Sequence, residues 1–225
     1  MQVRKLLSVA PALAVLIIGV QAASADAIPY PNGGTLNPVT YTFTAASTGS
    51  VIAYFAGSTA SYENRLGMLD NGILTASGFG LDDQATFVGQ SFNLGTVKAG
   101  DTLVFVLDNL TLGMTAYSDP SLNGSYDSAG YTGSHNHIYS TSYTATSPIF
   151  DSIPQGTFVA FEDLQFPNSD FNYNDEDFVF VNVATSTTTP SSNPEPSTII
   201  LLGAGLILVG GTSMRKFRCL DARKL

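Results

Sequence analysis

The chain has 225 residues, of which only 12% are charged, and its formal net charge is −9. Between residues 26 and 196 the only Lys or Arg side chains are Arg65 and Lys98. Phosphate binding depends on Lys and Arg, so the acidic composition of residues 26–196 excludes nucleic acid as a partner. The single cysteine, Cys219, excludes an intrachain disulfide framework. The length allows one domain with a core of its own once terminal segments are removed.

Residues 1–25 are typical of a secretory signal peptide. Arg4 and Lys5 precede the apolar run Leu6–Val20, and Ala23-Ser24-Ala25 supplies a small-residue cleavage site. An uncleaved membrane anchor is the alternative, but the short run and the Ala-x-Ala ending favour cleavage. We therefore expect an exported protein whose folded domain covers residues 26–184.

Residues 26–184 contain short segments of alternating polarity separated by turn signals, with no helical period of useful length. Asn71-Gly72 favours a tight hairpin turn, and Lys98–Asp101 favours a second turn. This pattern predicts an all-β domain, an antiparallel β-sandwich or jelly roll. The predicted strands are Val39–Ala46, Ser50–Ala60, Asn64–Asp70, Ile73–Ser77, Thr86–Leu94, Thr102–Leu107, Ile138–Thr146, Thr157–Leu164 and Phe178–Val183.

A long loop, rich in Ser, Gly, Asp and Tyr, is predicted at Gly113–His137. Its tyrosines, Tyr117, Tyr126 and Tyr131, could stack on sugar rings, and ordinary surface tyrosines are the alternative. His135-Asn136-His137 lacks a third metal ligand in the sequence, so we interpret it as a packed or hydrogen-bonded pair.

The densest feature of the chain is a run of six carboxylates within residues 162–177, with no Lys or Arg nearby. Like charges at this density repel unless a cation or open solvent relieves them. Asp170, Asn172 and Asn174 alternate as oxygen ligands do in the first half of a Ca²⁺ loop. A hairpin of Thr157–Leu164 and Phe178–Val183 would bring the remaining carboxylates to the same end. The predicted Ca²⁺ ligands are Glu162, Asp163, Asp170, Asn172, Asn174, Asp175 and Asp177.

Two points about this site stay open. Either Asp175 or Asp177 could face the ion, and a solvated loop whose Asp and Asn side chains cap turns is the alternative to a metal site. An EF-hand is excluded, because Asp175 stands where that loop needs Gly and no flanking helices are evident. Mg²⁺ fits less well, since it demands tighter octahedral geometry.

After the predicted domain, residues 185–193 form a polar, Pro-containing segment that we expect to be a linker. Pro194-Glu195-Pro196-Ser197, the apolar run Thr198–Gly211 and a basic cluster follow in that order. Together, residues 194–218 resemble the PEP-CTERM sorting signal, although the tail at 219–225 is longer than this family usually carries. The motif residues are Pro194, Glu195 and Pro196.

This resemblance implies handling by an exosortase, a membrane cysteine protease of Gram-negative bacteria that make exopolysaccharide. The hydrophobic sorting helix would hold the protein in the inner membrane until processing, and the final location would be the cell surface or the extracellular matrix. A plain C-terminal membrane anchor is the alternative.

A second resemblance rests on Phe161-Glu162-Asp163-Leu164, followed by Ser169–Asp175 and Val179-Phe180. These residues look like the signature of domain of unknown function 4114, over roughly residues 100–183. Asn172 stands where the family pattern has Asp, and Glu176-Asp177 is an additional acidic pair. The resemblance implies a calcium-binding β domain with no known catalytic activity.

The combined expectation is a non-enzymatic structural or adhesive component of the extracellular polysaccharide matrix. A lectin-like module that binds sugar through the tyrosines of Gly113–His137 is the alternative. A glycan-active enzyme is less favoured, because Glu162 and Asp163 are adjacent on a strand and would point to opposite faces.

Overall fold

The computed structural model describes residues 28–144 and 153–189. Within them the chain forms eleven strands and one short 3₁₀ helix, Pro120–Ser125, and every strand pair is antiparallel. The all-β prediction is therefore confirmed for these residues. The strands are Thr40–Ala45 (β1), Gly49–Ser58 (β2), Asn64–Asp70 (β3), Ile73–Leu74 (β4), Ser91–Val97 (β5), Thr102–Asn109 (β6), Met114–Tyr117 (β7), Ile138–Tyr143 (β8), Gly156–Phe161 (β9), Glu176–Val181 (β10) and Val183–Thr188 (β11).

The strands form two sheets, an arrangement consistent with the predicted β-sandwich. The first sheet has the order β11-β1-β6-β3-β4, with β7 also paired to β6, and the second has the order β5-β2-β10-β9-β8. Their facing side chains form the main core. Phe105 of the first sheet stacks on Phe180 of the second, with ring centroids 3.7 Å apart. The two sheets are thus held together by aromatic packing at their centre.

A smaller apolar cluster covers the outer face of the second sheet. Val179 and Ala160 point outward into it, whereas their strand neighbours Phe178 and Phe161 point into the main core. Tyr30 from the N-terminal segment and Tyr173 from the β9–β10 loop complete the cover, with ring centroids 4.8 Å apart. The second sheet is therefore buried on both faces around β9 and β10, which explains why these strands are so apolar.

The hairpin turn predicted at Asn71-Gly72 is confirmed. Both residues have positive φ angles, 48° and 82°, and Asp70 pairs with Ile73 across the two-residue turn. Positive φ at both central positions is the geometry that Asn-Gly supplies at low cost in a type I′ turn.

The structure differs from the expected elements in several places. The strand expected at Thr86–Leu94 begins only at Ser91 and continues to Val97, and the strand expected at Ile73–Ser77 is shortened to Ile73–Leu74. Residues 185–188, expected to begin the linker, form the second half of β11, in which Ala184–Thr188 are exposed and pair with β1. The residues of an exposed edge strand can be polar throughout and lack the alternation of polar and apolar residues that predicts a strand. From its composition alone, this segment was therefore predicted to be a linker. The predicted loop Gly113–His137 contains β7 and the 3₁₀ helix. Buried Asn123 stabilises this segment by bonding to Tyr117 and His135.

The predicted signal peptide and the predicted sorting helix lie outside the described residues. In the part of the chain that is described, no helix is both long and apolar enough to cross a membrane.

Candidate metal centre

The β9–β10 hairpin gathers the carboxylates at one end of the second sheet. Glu176, the first residue of β10, pairs with Phe161, the last residue of β9. Residues that follow Phe161 and residues that precede Glu176 therefore lie side by side. The backbone confirms this, because Asp175 N–H donates to the Phe161 carbonyl and Asp163 N–H donates to the Asp175 carboxylate at 2.9 Å.

Strand alternation divides these carboxylates into two groups on opposite faces of the sheet. We call the first group the outer cluster; it lies beneath the β9–β10 loop and comprises Glu162, Asp175 and Asp177. We call the second group the inner cluster; it faces the first sheet and comprises Asp83, Asp163, Glu176 and the amide of Asn64.

The outer cluster is almost completely buried. Glu162, Asp175 and Asp177 are 0%, 8% and 4% exposed. One oxygen of Glu162, Oε2, accepts a hydrogen bond from Tyr173 N–H at 3.3 Å. Its other oxygen, Oε1, and Asp177 Oδ1 have no hydrogen-bond partner among the described residues. Buried carboxylate oxygens without a donor are costly, so this cluster is incomplete as a purely protein-made network.

The inner cluster joins the two sheets through Asn64, the first residue of β3. Asn64 Nδ2 donates to Asp163 Oδ2 at 2.8 Å and to Glu176 Oε1 at 3.3 Å. Asp83, between β4 and β5, accepts from Asn64 N–H at 2.8 Å. Asn64 and Glu176 are both 0% exposed, and Asn64 Oδ1 and Glu176 Oε2 lack hydrogen-bond partners within the described residues.

Burial and mutual repulsion change the acidity of both clusters. Burial, then the charge of Asp175, raises the pKa of Asp163 to about 7. Burial, then the charge of Glu162, raises the pKa of Asp175 to about 7. Burial also raises the pKa of Glu176 and of Asp177 well above the usual range. In each case the structure disfavours the charged form unless a positive charge is nearby.

Neither basic side chain of the domain supplies that charge. The guanidinium of Arg65 pairs with Asp108 at 2.8 Å, and it lies over the ring of Phe79. Lys98 acts on Asp70 and Asp101, and Asp70 is at the opposite end of β3 from Asn64. The repulsion within the clusters is therefore not relieved by any Lys or Arg of the described residues.

The alternating triplet lies apart from the buried carboxylates. Asp170 is exposed and accepts from Asn172 N–H and from Asn172 Nδ2, at 3.2 and 2.8 Å. Asn172 Oδ1 accepts from Asn174 N–H, and Asn174 Oδ1 accepts from Thr59 Oγ1 at 2.8 Å. The side chains of Asp170 and Asn172 thus form two consecutive local turns, whereas the Asn174 side chain connects the loop to Thr59. Only the charge of Asp170 reaches the outer cluster, where it adds to the effect of burial in raising the pKa of Glu162.

Aromatic residues hold the triplet loop in shape. Phe171 and Tyr173 have φ angles of 53° and 50°, an uncommon conformation for residues with a side chain. Phe171 packs on Phe166, and Tyr173 is buried and donates its hydroxyl proton to the Asn136 carbonyl at 3.1 Å. These contacts fix the loop over the outer cluster.

The donor set of both clusters suits a hard cation, because it consists only of carboxylate and amide oxygens. Within residues 28–144 and 153–189, however, no three His, Cys, Asp or Glu side chains are grouped as they would be around a single ion. An ion at either cluster would therefore be held by fewer carboxylates, completed by amide or main-chain oxygens and water, as Ca²⁺ sites allow.

Three of the residues in these clusters were not among the predicted ligands: Asn64, Asp83 and Glu176. Asn64 is 99 positions from Asp163 in the chain, so no local spacing could have indicated it. The position of Glu176 could have been inferred from strand alternation, because it has the same parity as the inward-facing Phe178 and Phe180.

Two of the three tyrosines considered for sugar stacking are packed into the fold, and the third, Tyr117, is half-buried at the end of β7. Tyr126 is 1% exposed, and its hydroxyl donates to the Asp163 carbonyl and accepts from Asn109 Nδ2. Tyr131 is half-buried and packs edge-on against His135 and Phe166. Both rings are parts of the fold's own packing.

The histidine pair is hydrogen-bonded, as interpreted from the sequence. Asp127 bonds with one oxygen to His137 Nε2 at 2.9 Å and with the other to His135 Nδ1. His137 Nδ1 contacts the Glu162 carbonyl at 2.9 Å, and its ring stacks on Phe166. This triad supports the backbone of the first residue of the outer cluster.

Comparison with protein-family models, with curated proteins and with solved structures gave no significant match. The two resemblances noted in the sequence, to the PEP-CTERM signal and to domain of unknown function 4114, therefore stay predictions.

Proposed function

We propose that this protein is an exported, non-enzymatic β-sandwich module that binds Ca²⁺ at the outer cluster and depends on the ion for the stability of its β9–β10 hairpin. The observation that carries the proposal is the unpartnered Glu162 Oε1, buried beside the carboxylate of Asp175 with no basic side chain nearby. A divalent cation would supply both the missing partner and the missing charge.

The ligand set follows from the contacts. Glu162 and Asp175 are the primary carboxylates, and Asp177 lies close enough to Asp175 for their charges to interact. The exposed Asp170 would add charge at the solvent side of the site. Asn172 would keep its role in forming a turn and Asn174 its contact with Thr59, and both would shape the loop. In this arrangement the loop acts as a cover for the ion.

The wider role rests on the terminal segments. The predicted signal peptide and the PEP-CTERM-like end favour export, exosortase processing and a place at the surface of a Gram-negative bacterium. With its acidic domain and a calcium-stabilised fold, the protein would be a structural or adhesive component in contact with extracellular polysaccharide. The burial of Tyr126 supports this role over the lectin-like alternative.

Thermal unfolding in excess Ca²⁺ and in excess chelator tests the metal claim. We expect the melting temperature to be higher with Ca²⁺, because binding to the native state alone stabilises it by mass action. Glu162→Gln preserves the shape of the side chain and removes one ligand charge, so most of the Ca²⁺-dependent increase should be lost.

Glu63→Gln is the matched control, since Glu63 is exposed and the substitution is chemically the same. It should leave the Ca²⁺-dependent increase intact. A wild-type melting temperature that is identical in Ca²⁺ and in chelator would refute the proposed function.

A further inference from the structure

We propose that the inner cluster is a second Ca²⁺ site in which the ion connects the two sheets through Asn64, Asp83 and Glu176, with Asp163 orienting the Asn64 amide. The inference depends on the proposed function only for the class of ion. It assigns a site to residues that belong to neither the alternating triplet nor the outer cluster.

The first step is that the inner cluster is built from both sheets. Asn64 begins β3 of the first sheet, whereas Glu176 begins β10 of the second. Asp163 follows β9, and its carboxylate accepts a hydrogen bond from Asn64 Nδ2 of the first sheet, although it also lies beside the carboxylate of Asp175. An ion bound among these side chains would hold together one end of the sandwich, where the aromatic core of Phe105 and Phe180 does not reach.

The second step is that two oxygens of different chemistry lack partners in the same place. Glu176 Oε2 is a carboxylate oxygen, and Asn64 Oδ1 is an amide oxygen; both side chains are fully buried. The Asn64 amide group is oriented by its N–H bonds to Asp163 and Glu176. A buried amide oxygen that is oriented by the carboxylates and has no donor of its own requires a positively charged or hydrogen-bonding partner.

The third step is that the charged groups that face Glu176 are all carboxylates. The carboxylate of Asp83 lies beside that of Glu176, and Asp163 adds a further negative charge. Ser58 Oγ donates to Glu176 Oε1 at 3.3 Å, which leaves Oε2 unsatisfied. Arg65, the neighbour of Asn64 on β3, is paired with Asp108 instead.

The ligand chemistry selects Ca²⁺ within this class of ion. Amide and carboxylate oxygens suit both Ca²⁺ and Mg²⁺. The residues of this site come from two sheets and a long connection, and Ca²⁺ accepts such an irregular ligand geometry better than Mg²⁺ does. No sulfur or imidazole ligand is among the residues of the cluster, which disfavours Zn²⁺. Two carboxylates and the Asn64 oxygen would contribute protein ligands, with water completing the shell.

Metal stoichiometry of the purified full-length protein tests the proposal. After chelation, the protein is dialysed against Ca²⁺ alone at a pH of about 8, where free carboxyl groups are ionised, and bound calcium is measured by elemental analysis. We expect two ions per chain in the wild type and in the control Glu63→Gln. We expect one ion in Glu176→Gln and one in Glu162→Gln, and none in the double variant.

The two proposals fail in different ways. A wild type that binds one ion, lost in Glu162→Gln and kept in Glu176→Gln, overturns the inner site and leaves the proposed function standing. One ion lost only in Glu176→Gln supports the inner site and overturns the outer one. No bound calcium in the wild type overturns both.

Thermal unfolding separates an ion ligand from a group that is merely structural. In chelator, Glu176→Gln replaces a buried carboxyl group that has no basic partner, so its melting temperature should equal or exceed that of the wild type. In Ca²⁺ the order should reverse, because only the wild type gains the second ion. A difference in melting temperature between the two proteins that is the same in chelator and in Ca²⁺ would overturn the inner site.

Discussion

Asp127 accepts hydrogen bonds from three donors although its side chain is fully buried. His137 Nε2 and His135 Nδ1 contact its two oxygens, and Phe166 N–H donates to Oδ1 at 2.7 Å. Burial alone would raise the pKa of Asp127, but these bonds outweigh it and lower the pKa below its usual range. The residue therefore joins the Tyr126–His137 segment to the loop that follows β9.

We expect Asp127→Asn to reduce the free energy of unfolding by about 2–4 kcal/mol, because an amide would direct an N–H group at donors and leave buried partners unsatisfied. Asp108→Asn is the comparison. Asp108 pairs with the partly exposed Arg65, and a surface pair of this kind contributes about 1 kcal/mol or less. Urea unfolding of the two variants measures the difference; equal losses would contradict the structural role of Asp127.

Strand β10 occupies the centre of the second sheet, between β2 and β9, and it is covered on both faces. Its first two residues belong to the inner and outer clusters, and its later residues belong to the two apolar clusters. One six-residue strand thus carries two of the candidate metal ligands and part of the centre of the core, so an ion bound at either cluster would be coupled to core packing through this strand.

Phe180→Ala should reduce the free energy of unfolding by about 3–5 kcal/mol, the usual cost of truncating a fully buried Phe. The ring is 0% exposed and stacks on Phe105. Phe87→Ala is the matched control, because Phe87 is 78% exposed, and its loss should be small. Denaturant unfolding with Ca²⁺ present in both cases provides the measurement. A small loss for Phe180→Ala would mean that the two sheets are not packed through this pair.

The elements that sequence predicted best are those with a strong local signal. The strand Asn64–Asp70 and the turn at Asn71-Gly72 match the structure, because alternation and a two-residue turn are local properties. The edge strand β11 was missed because its exposed Thr and Ser residues gain their order only by pairing with β1. Pairing with a strand that is distant in the chain produces no periodic pattern of polar and apolar residues in the local sequence.

The candidate site was predictable in part for the same reason. The carboxylates of residues 162–177 are visible in the sequence because they are so closely spaced. How they divide between the two faces of the sheet depends on where β9 ends and β10 begins. The contribution of Asn64 and Asp83 depends on the packing of one sheet against the other. The sequence therefore indicated where the carboxylates gather but missed three of the seven residues of the two clusters.

At the scale of the whole molecule, several carboxyl groups are buried at one end of a domain that has only two Lys or Arg side chains among residues 26–196. Lys98 and Arg65 are engaged elsewhere, so the folded state without metal must keep several of these carboxyl groups protonated or accept their repulsion. Proton binding and metal binding then compete for the same groups. Stability should depend on pH in a way that reports whether the metal is present.

The pKa of Asp163 and that of Asp175 are both raised to about 7, first by burial. Unfolded Asp side chains titrate near about 4, so the folded state binds these protons more tightly. The resulting stability is fully present below about pH 4 and is lost as the pH rises through about 7. In chelator, we therefore expect the melting temperature to fall as the pH rises from about 5 to about 8, a window that avoids the opposite contribution of Asp127 at lower pH.

With saturating Ca²⁺ the direction should reverse or level off, because the ion requires ionised carboxylates and binds more tightly as protons leave. The measurement is a series of melting curves at constant ionic strength across this pH window, with and without the ion. If the chelated protein became more stable with rising pH, the two carboxyl groups would not be buried among like charges. If Ca²⁺ left the slope unchanged, protons and metal would not share these groups, and the acidic end would be a proton-bound core rather than a metal centre.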